Sequence, residues 1–186
     1  MDGNSSTVPD RELIRETSQP NMKRWGDGAI TAAKAETKAQ RDSLMGAFKK
    51  SAVNVSNNGL RGMLIDHMEK ELGDDNLFLS GIEEAVSALQ EARKSYMVSD
   101  MKQLKEEKDK LTATVNRYVS QYNDLLRTQR AFLESVDDEN VLSNVLKVVK
   151  IGTKNLHTLL LEIAKAIRND AWQREFDATS DFAPQG

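Results

Sequence analysis

The amino-acid sequence predicts an all-α protein, built as a long antiparallel coiled-coil hairpin with additional N-terminal helices. Charged residues make up 30% of the chain and aromatic residues only 5%, a balance typical of long helices rather than of a thick globular core. The three prolines, Pro9, Pro20 and Pro184, leave residues 22–183 free of the ring that breaks helices. Between Met97 and Val136, positions with apolar side chains recur at alternating spacings of three and four, the heptad pattern of helices that pack along one another.

Residues 1–28 are predicted to be a mostly disordered polar segment with a short helix. Ser, Thr and Asn dominate the first residues, and Pro9 suits the first turn of a helix that ends before Pro20. Because the segment contains little apolar surface, we expect it to be dispensable for folding. It does not resemble a secretory signal, and the sequence has no apolar run of membrane-spanning length. The location stays open between the cytoplasm and export by a non-classical route.

Residues 29–79 are predicted to form an N-terminal helical region. A first helix covers residues 29–53, which are rich in Ala, Lys, Glu and Gln. Asn57-Asn58-Gly59 is expected to interrupt it, since Asn and Gly tolerate the backbone conformations of turns. A second helix covers residues 60–72, and Gly73 is placed to end it.

Residues 80–176 are predicted to form the coiled-coil hairpin, followed by a flexible tail over residues 177–186. Ser80 and Glu83 match a capping box at the start of the first arm. That arm is expected to run as one helix to Val136, although two successive spacings of four near Arg93 should unwind it locally. The acidic residues after Val136 mark the turn, and the second arm covers residues 141–175.

One apolar seam is predicted to hold the two arms together or to join one chain to another. Lys108 and Gln129 are the polar positions within it, and polar residues in a coiled-coil core fix the register and the number of partners. The alternative for Lys108 is that its methylenes pack while its amine reaches solvent. The apolar members of the predicted seam are Met97, Met101, Leu104, Leu111, Val115, Tyr118, Tyr122, Leu125, Phe132, Val136, Leu142, Val145, Val149, Leu156, Leu159 and Ile163.

No catalytic, cofactor-binding or metal-binding residues are predicted. The chain has no cysteine, so thiolate nucleophiles, disulfides and cysteine-ligated metals are excluded. His67 and Glu71 are four residues apart and could share a helix face, but the sequence offers no evident third ligand. The stretch from Asn57 to Gly62 follows no predicted strand, which favours a turn over a phosphate-binding loop. We therefore expect a protein that is not an enzyme.

The leading functional prediction is a structural or scaffolding coiled-coil protein that self-assembles or bridges protein partners, in the style of exported filament or tip subunits. Basic residues concentrate between Lys23 and Arg61, whereas acidic clusters lie elsewhere. One alternative is therefore a nucleic-acid-packaging protein that uses residues 23–61, and another is a helical chaperone or assembly factor. A possible electrostatic interface between subunits pairs Lys34, Lys38, Lys49 and Lys50 with Asp137, Asp138 and Glu139.

Overall fold

The fold is all-α. A computed structural model describes the backbone of residues 22–96, 100–136 and 138–182 and the side chains of residues 28–94, 96, 100–136, 138 and 140–171. No strand occurs within these residues. The helices are α1 (Met22–Ala52), α2 (Asn58–Leu72), α3 (Leu77–Ala92), α4 (Met101–Ser135) and α5 (Glu139–Phe182), with a turn of 3₁₀ helix at Arg93–Ser95.

The helices form four arms that run alternately up and down, with α2 and α3 sharing the second arm. Lys34 and Arg41 of α1 pair with Glu83 and Asp74 respectively, so the second arm runs antiparallel to α1. Leu125 of α4 lies against Gly152 of α5, and the turn that joins the two helices lies midway between these residues in the sequence. These two helices are therefore antiparallel as well.

The most extensive packing lies between α3 and α5, followed by α1 against α4. Gly81 of α3 lies against Leu160, and farther along α3, Glu91 binds Arg168. Because both residue numbers increase together, α3 and α5 run parallel. Arg168 donates hydrogen bonds to Glu84 and Glu91, at 2.8 Å each. These bonds fasten the two helices on the outside of the bundle.

The first arm of the predicted hairpin is not one continuous helix. Helix α3 ends at Ala92, a 3₁₀ turn follows, and α4 starts at Met101. The sequence prediction of an unbroken helix over residues 80–136 is therefore wrong at this point. In the folded chain Phe78 of α3 stacks on Tyr122 of α4, so the two segments lie antiparallel across the core. Folding back lets one chain bury the apolar sides of both segments, which a single rod would leave for a partner.

Several helix ends differ from the sequence prediction. Helix α1 begins at Met22 instead of Ala29, and α5 continues to Phe182, beyond the predicted start of the tail at residue 177. The Asn76 side chain, not Ser80, caps α3 by accepting a hydrogen bond from the Leu79 N–H. The Asn57 side chain caps α2 in the same way. The predicted disorder and short helix before Met22 lie outside the described residues, as do residues 183–186.

The buried positions of α4 follow a helix repeat of 3.6 residues rather than the predicted 3.5. Leu104, Leu111, Val115 and Tyr122 are buried, as the predicted seam requires. Farther along, the seam prediction fails by one residue: Leu126 and Leu133 are buried, whereas Leu125 is half-buried and Phe132 is exposed. A straight α-helix drifts by about 20° per heptad against a 3.5-residue repeat. The drift accumulates over the length of α4 and shifts its buried stripe.

The same drift occurs on α5. Of the predicted seam residues on α5, Leu142, Val145, Val149 and Leu156 are buried within the chain. Beyond them the stripe moves to Leu160 and Ala164, one residue past the predicted Leu159 and Ile163; Leu159 is exposed and Ile163 half-buried. Met101 and Val136, at the two ends of the α4 seam, are also exposed, because the helix ends lie at the edges of the bundle. Met97 lies outside the described residues.

Candidate functional site

An exposed apolar surface follows the outer edge of the pair α4 and α5. We call it the α4–α5 face, and its members are Phe132, Val136, Val148, Ile151 and Leu159. Ile151 is 52% exposed and Phe132 43%. Three of the five residues belong to the predicted seam, and the register drift is what leaves two of them, Phe132 and Leu159, outside the core. A surface of this kind, aligned on two neighbouring helices, is typical of a site that contacts another protein.

A row of lysines lies next to this face on α5. Lys147, Lys150 and Lys154 are exposed and share one side of the helix, since residues three and four apart are neighbours on an α-helix. Among the described side chains, none of these three lysines forms an ion pair. Their charges are therefore available to a partner that contacts the adjacent apolar surface.

Three of the four lysines that the sequence assigns to an electrostatic interface form ion pairs with carboxylates of the same chain. Lys34 lies 4.0 Å from Glu83, Lys38 lies 3.3 Å from Asp42, and Lys49 lies 3.5 Å from Glu69. All six side chains are largely exposed, so each pair contributes at most about 1 kcal/mol. Lys50 is exposed beside a groove between α1 and α4 that also contains Asp42 and Glu134.

The acidic half of the predicted electrostatic interface lies at the turn between α4 and α5. The Asp138 carboxylate accepts a hydrogen bond from the Asn140 N–H at 3.0 Å, which caps the start of α5. Asp137 and the Glu139 side chain lie outside the described residues. Pairing between this turn and the α1 lysines of another subunit stays a prediction.

A buried polar layer at mid-height joins α1 to the turn between α2 and α3. The guanidinium of Arg41, only 3% exposed, donates to the carbonyls of Leu72 at 3.3 Å and Gly73 at 3.2 Å, and to the carboxylate of Asp74 at 2.9 Å. The hydrogen bond from Arg41 and its positive charge hold the pKa of Asp74 below its ordinary value. The carbonyls at the C-terminal end of α2, which Gly73 does not cap, therefore accept hydrogen bonds from an arginine of another helix.

The layer continues to α4 and α5. The Asn76 amide donates to the hydroxyl of Tyr122 at 3.0 Å, and the Tyr122 ring stacks on Phe78 with 4.4 Å between ring centroids. Burial raises the pKa of the Tyr122 hydroxyl, and the neighbouring Thr153 hydroxyl opposes that shift. Thr153 is itself fully buried, and its oxygen has no hydrogen bond of good geometry among the described residues. One polar layer therefore contacts all four arms.

The hydrogen bonds of this layer join the arms to one another. Tyr122 and Thr153 are closed off from solvent, and Arg41 and Asn76 donate hydrogen bonds to backbone carbonyls, to the Asp74 carboxylate and to the tyrosine hydroxyl. The arrangement fixes the relative height of the four arms, because each polar group has its partner at one position only.

Lys108 lies in the core stripe, as the seam prediction requires. The residue is 7% exposed, and desolvation lowers the pKa of its amine. Most of the Lys108 side chain is therefore covered by neighbouring residues. Gln129, the other polar seam residue, is half-buried on α4.

The two histidines do not build a metal site with their neighbours. Within the described part of the chain, no group of three or more potential metal ligands comes together. His67 lies on the exposed side of α2, and the ring of His157 lies close to Gly81 at the contact of α5 with α3. Among the described helices, none is long and apolar enough to cross a membrane.

Comparison with models of known protein families, with curated proteins and with solved structures finds no match for this chain.

Sequence reasoning missed the buried polar layer and the lysines of α5. Arg41 looked like one more charge in a basic stretch, because nothing local shows that its partners are residues 72–74. The lysines at 147, 150 and 154 were passed over because the apolar seam dominates that part of the sequence. Their three- and four-residue spacing was the available signal.

Proposed function

We propose that this protein is a non-catalytic structural or scaffolding subunit that binds other protein chains, including copies of itself, through the α4–α5 face. The observation that carries the proposal is the row of exposed apolar side chains on two adjacent helices. The bundle has already buried a continuous core of its own, so these residues are not needed to hold it together. Covering them with another chain removes their apolar surface from water.

The geometry suits a partner helix or hairpin laid along the bundle. Val148, Ile151 and Leu159 recur at helical spacing on α5, and Phe132 and Val136 add apolar surface at the end of α4. A helix that places apolar residues in the groove between two helices uses the same spacing. Within the bundle, the buried positions of α4 follow the 3.6-residue repeat of a straight helix rather than that of a coiled coil. We therefore propose a coiled coil only for the contact with the partner helix.

The nucleic-acid alternative receives less support. Residues 23–61 contain the expected lysines, but three of them pair with carboxylates of the same chain, and Arg41 is buried. Phosphate binding requires basic groups that are free to replace counterions. A chaperone or assembly factor would use the same apolar face. It would differ from a self-assembling subunit only in that its partner is a different protein rather than a copy of this chain.

The experiment that tests the proposal measures molar mass by size-exclusion chromatography with light scattering. We compare the wild type with the double variant Val148→Ser and Ile151→Ser, which makes the centre of the face polar without touching the core. The wild type should form species larger than the 20.8 kDa chain, and the double variant should form fewer at the same concentration. The matched control is Met101→Ser, because Met101 is 48% exposed and lies at the start of α4, the opposite end of that helix from Phe132 and Val136.

Two results would contradict the proposal. One is a wild type that stays at the mass of a single chain at all concentrations and binds no protein partner. The other is a double variant that assembles as the wild type does. Circular dichroism spectra of the three proteins must agree, which shows that the variants fold.

A further inference from the structure

The outer side of α2 and the following turn carry two carboxylates, Asp66 and Asp75, opposite in charge to the α5 lysines, together with one exposed lysine, Lys70. Asp66 on α2 and Asp75 in the turn are exposed, and neither forms an ion pair within the described residues. Met63, which lines the same side of α2 as Asp66, and Leu77, two residues after Asp75, are 48% and 46% exposed. We call this surface, Met63, Asp66, Asp75 and Leu77, the acidic α2–α3 face.

A shallow hollow lies within this surface. It is lined by Asn58, Gly59, Gly62, Met63, Asp66, His67 and Lys70. A side chain added at Gly62 would meet no atom within 4 Å, so the glycine is not required by packing inside the chain. The missing side chain instead leaves room beside Met63 and Asp66. An apolar side chain from another molecule fits such a space, next to a carboxylate that can bind a lysine.

We propose that a second copy of this chain occupies the α4–α5 face with its acidic α2–α3 face. The lysine row of one copy would then lie against Asp66 and Asp75 of the next, while Val148 and Ile151 contact Met63 and the hollow over Gly62. The charges are complementary and each is flanked by exposed apolar residues, as at the core and rim of protein interfaces. This inference rests on the proposed function and names the partner surface.

The contact is heterologous, because it joins two different surfaces of the same chain. The second arm and α5 are neighbours in the bundle, so every copy presents both surfaces and can bind a copy on each. Such contacts close into a ring when the rotation allows and otherwise extend into a filament. The inference therefore predicts assemblies larger than a dimer.

A charge-swap experiment tests the pairing. One variant carries Lys147→Glu and Lys154→Glu, and the other carries Asp66→Lys and Asp75→Lys. Each variant alone brings like charges together and should assemble only at concentrations at least about tenfold higher than the wild type. An equimolar mixture should recover the assembly of the wild type, because each swapped surface then meets an oppositely charged surface of the other variant.

The matched control reverses two exposed lysines of α4, Lys102→Glu and Lys105→Glu. It changes the net charge by the same amount as the α5 variant and should assemble like the wild type. The readout is molar mass by light scattering at low ionic strength, with circular dichroism to verify folding.

Three outcomes would overturn the inference. The first is an α5 variant that assembles like the wild type, and the second is a mixture that stays dissociated although both variants fold. If the wild type self-assembles in either of these two cases, the α4–α5 face remains the proposed binding site. Its partner is then a surface other than the acidic α2–α3 face. The third, a wild type that never self-associates, removes the second copy as a partner.

Discussion

The hydroxyl of Tyr122 is expected to be a measurable part of the stability of the bundle. Tyr122→Phe keeps the ring that stacks on Phe78 and removes one oxygen, which accepts the hydrogen bond from the Asn76 amide at 3.0 Å. The amide is buried, so the variant leaves a donor without its partner. That loss costs about 1–3 kcal/mol, and for a chain of this length each kcal/mol lowers the melting temperature by about 2–4 °C.

The assay is urea unfolding followed by circular dichroism, with Tyr118→Phe as the matched control. Tyr118 lies one turn earlier on the same helix and is half-buried, so its variant should change the free energy of unfolding by less than about 0.5 kcal/mol. A double-mutant cycle of Tyr122→Phe with Asn76→Ala should show a coupling of about 1 kcal/mol. The reasoning is refuted if Tyr122→Phe is as stable as the wild type, or if the two substitutions are additive.

Three further predictions follow from the described contacts. Leu126→Ala should lower the free energy of unfolding by about 2–5 kcal/mol and Phe132→Ala by less than about 1 kcal/mol, since Leu126 is fully buried and Phe132 is not; equal effects in urea unfolding would contradict the 3.6-residue register. Gly81→Ala should destabilise the bundle by about 1–3 kcal/mol, because its new Cβ would lie 3.0 Å from the Cβ of Leu160. Gly46→Ala, which meets no atom within 4 Å, should stabilise α1 by about 0.5–1 kcal/mol; thermal melts that rank the two the other way would disprove the packing. Asp74→Asn should be less stable than the wild type at neutral pH. The pKa of Asp74 is lower in the folded chain than its ordinary 3.8, so its stabilisation is present above that pH and is lost as the pH falls through the folded value. A difference in unfolding free energy that is the same at pH 7 and pH 2.5 would show that the ion pair with Arg41 is not its source.

The all-α class follows from local properties that a sequence displays directly. Proline placement, helix-forming composition and apolar spacing act within a few residues of each other, so they predicted helices at 60–72 and along most of 101–136. The helix boundary after Val136 was also within reach, because acidic residues there separate two apolar stripes.

The path of the chain between Ala92 and Met101 was harder to predict. An apolar stripe shows that a helix needs a neighbour, but it does not show whether that neighbour is another chain or a later segment of the same one. The register of the stripe was another source of error. Spacings of 3.5 and 3.6 residues look alike over two turns and diverge only over the length of α4, where Leu126 and Leu133 replace Leu125 and Phe132.

The partners of polar side chains could not be predicted at all. Arg41 binds residues more than thirty positions away, and Asn76 binds a tyrosine on another arm. Such pairs depend on how the arms dock, and the sequence shows only that each group is polar. The same applies to the exposed lysines of α5, whose availability depends on which carboxylates the fold brings near them.

The central claim is that a folded bundle with its own core still presents a surface for another copy. Sedimentation equilibrium of the wild type measures this most directly, over a wide range of protein concentrations and at low and high salt. The average mass should rise above 20.8 kDa as the concentration increases, and high salt should weaken the association by screening the lysine contacts. A mass that stays at 20.8 kDa at every concentration and salt level would contradict the claim.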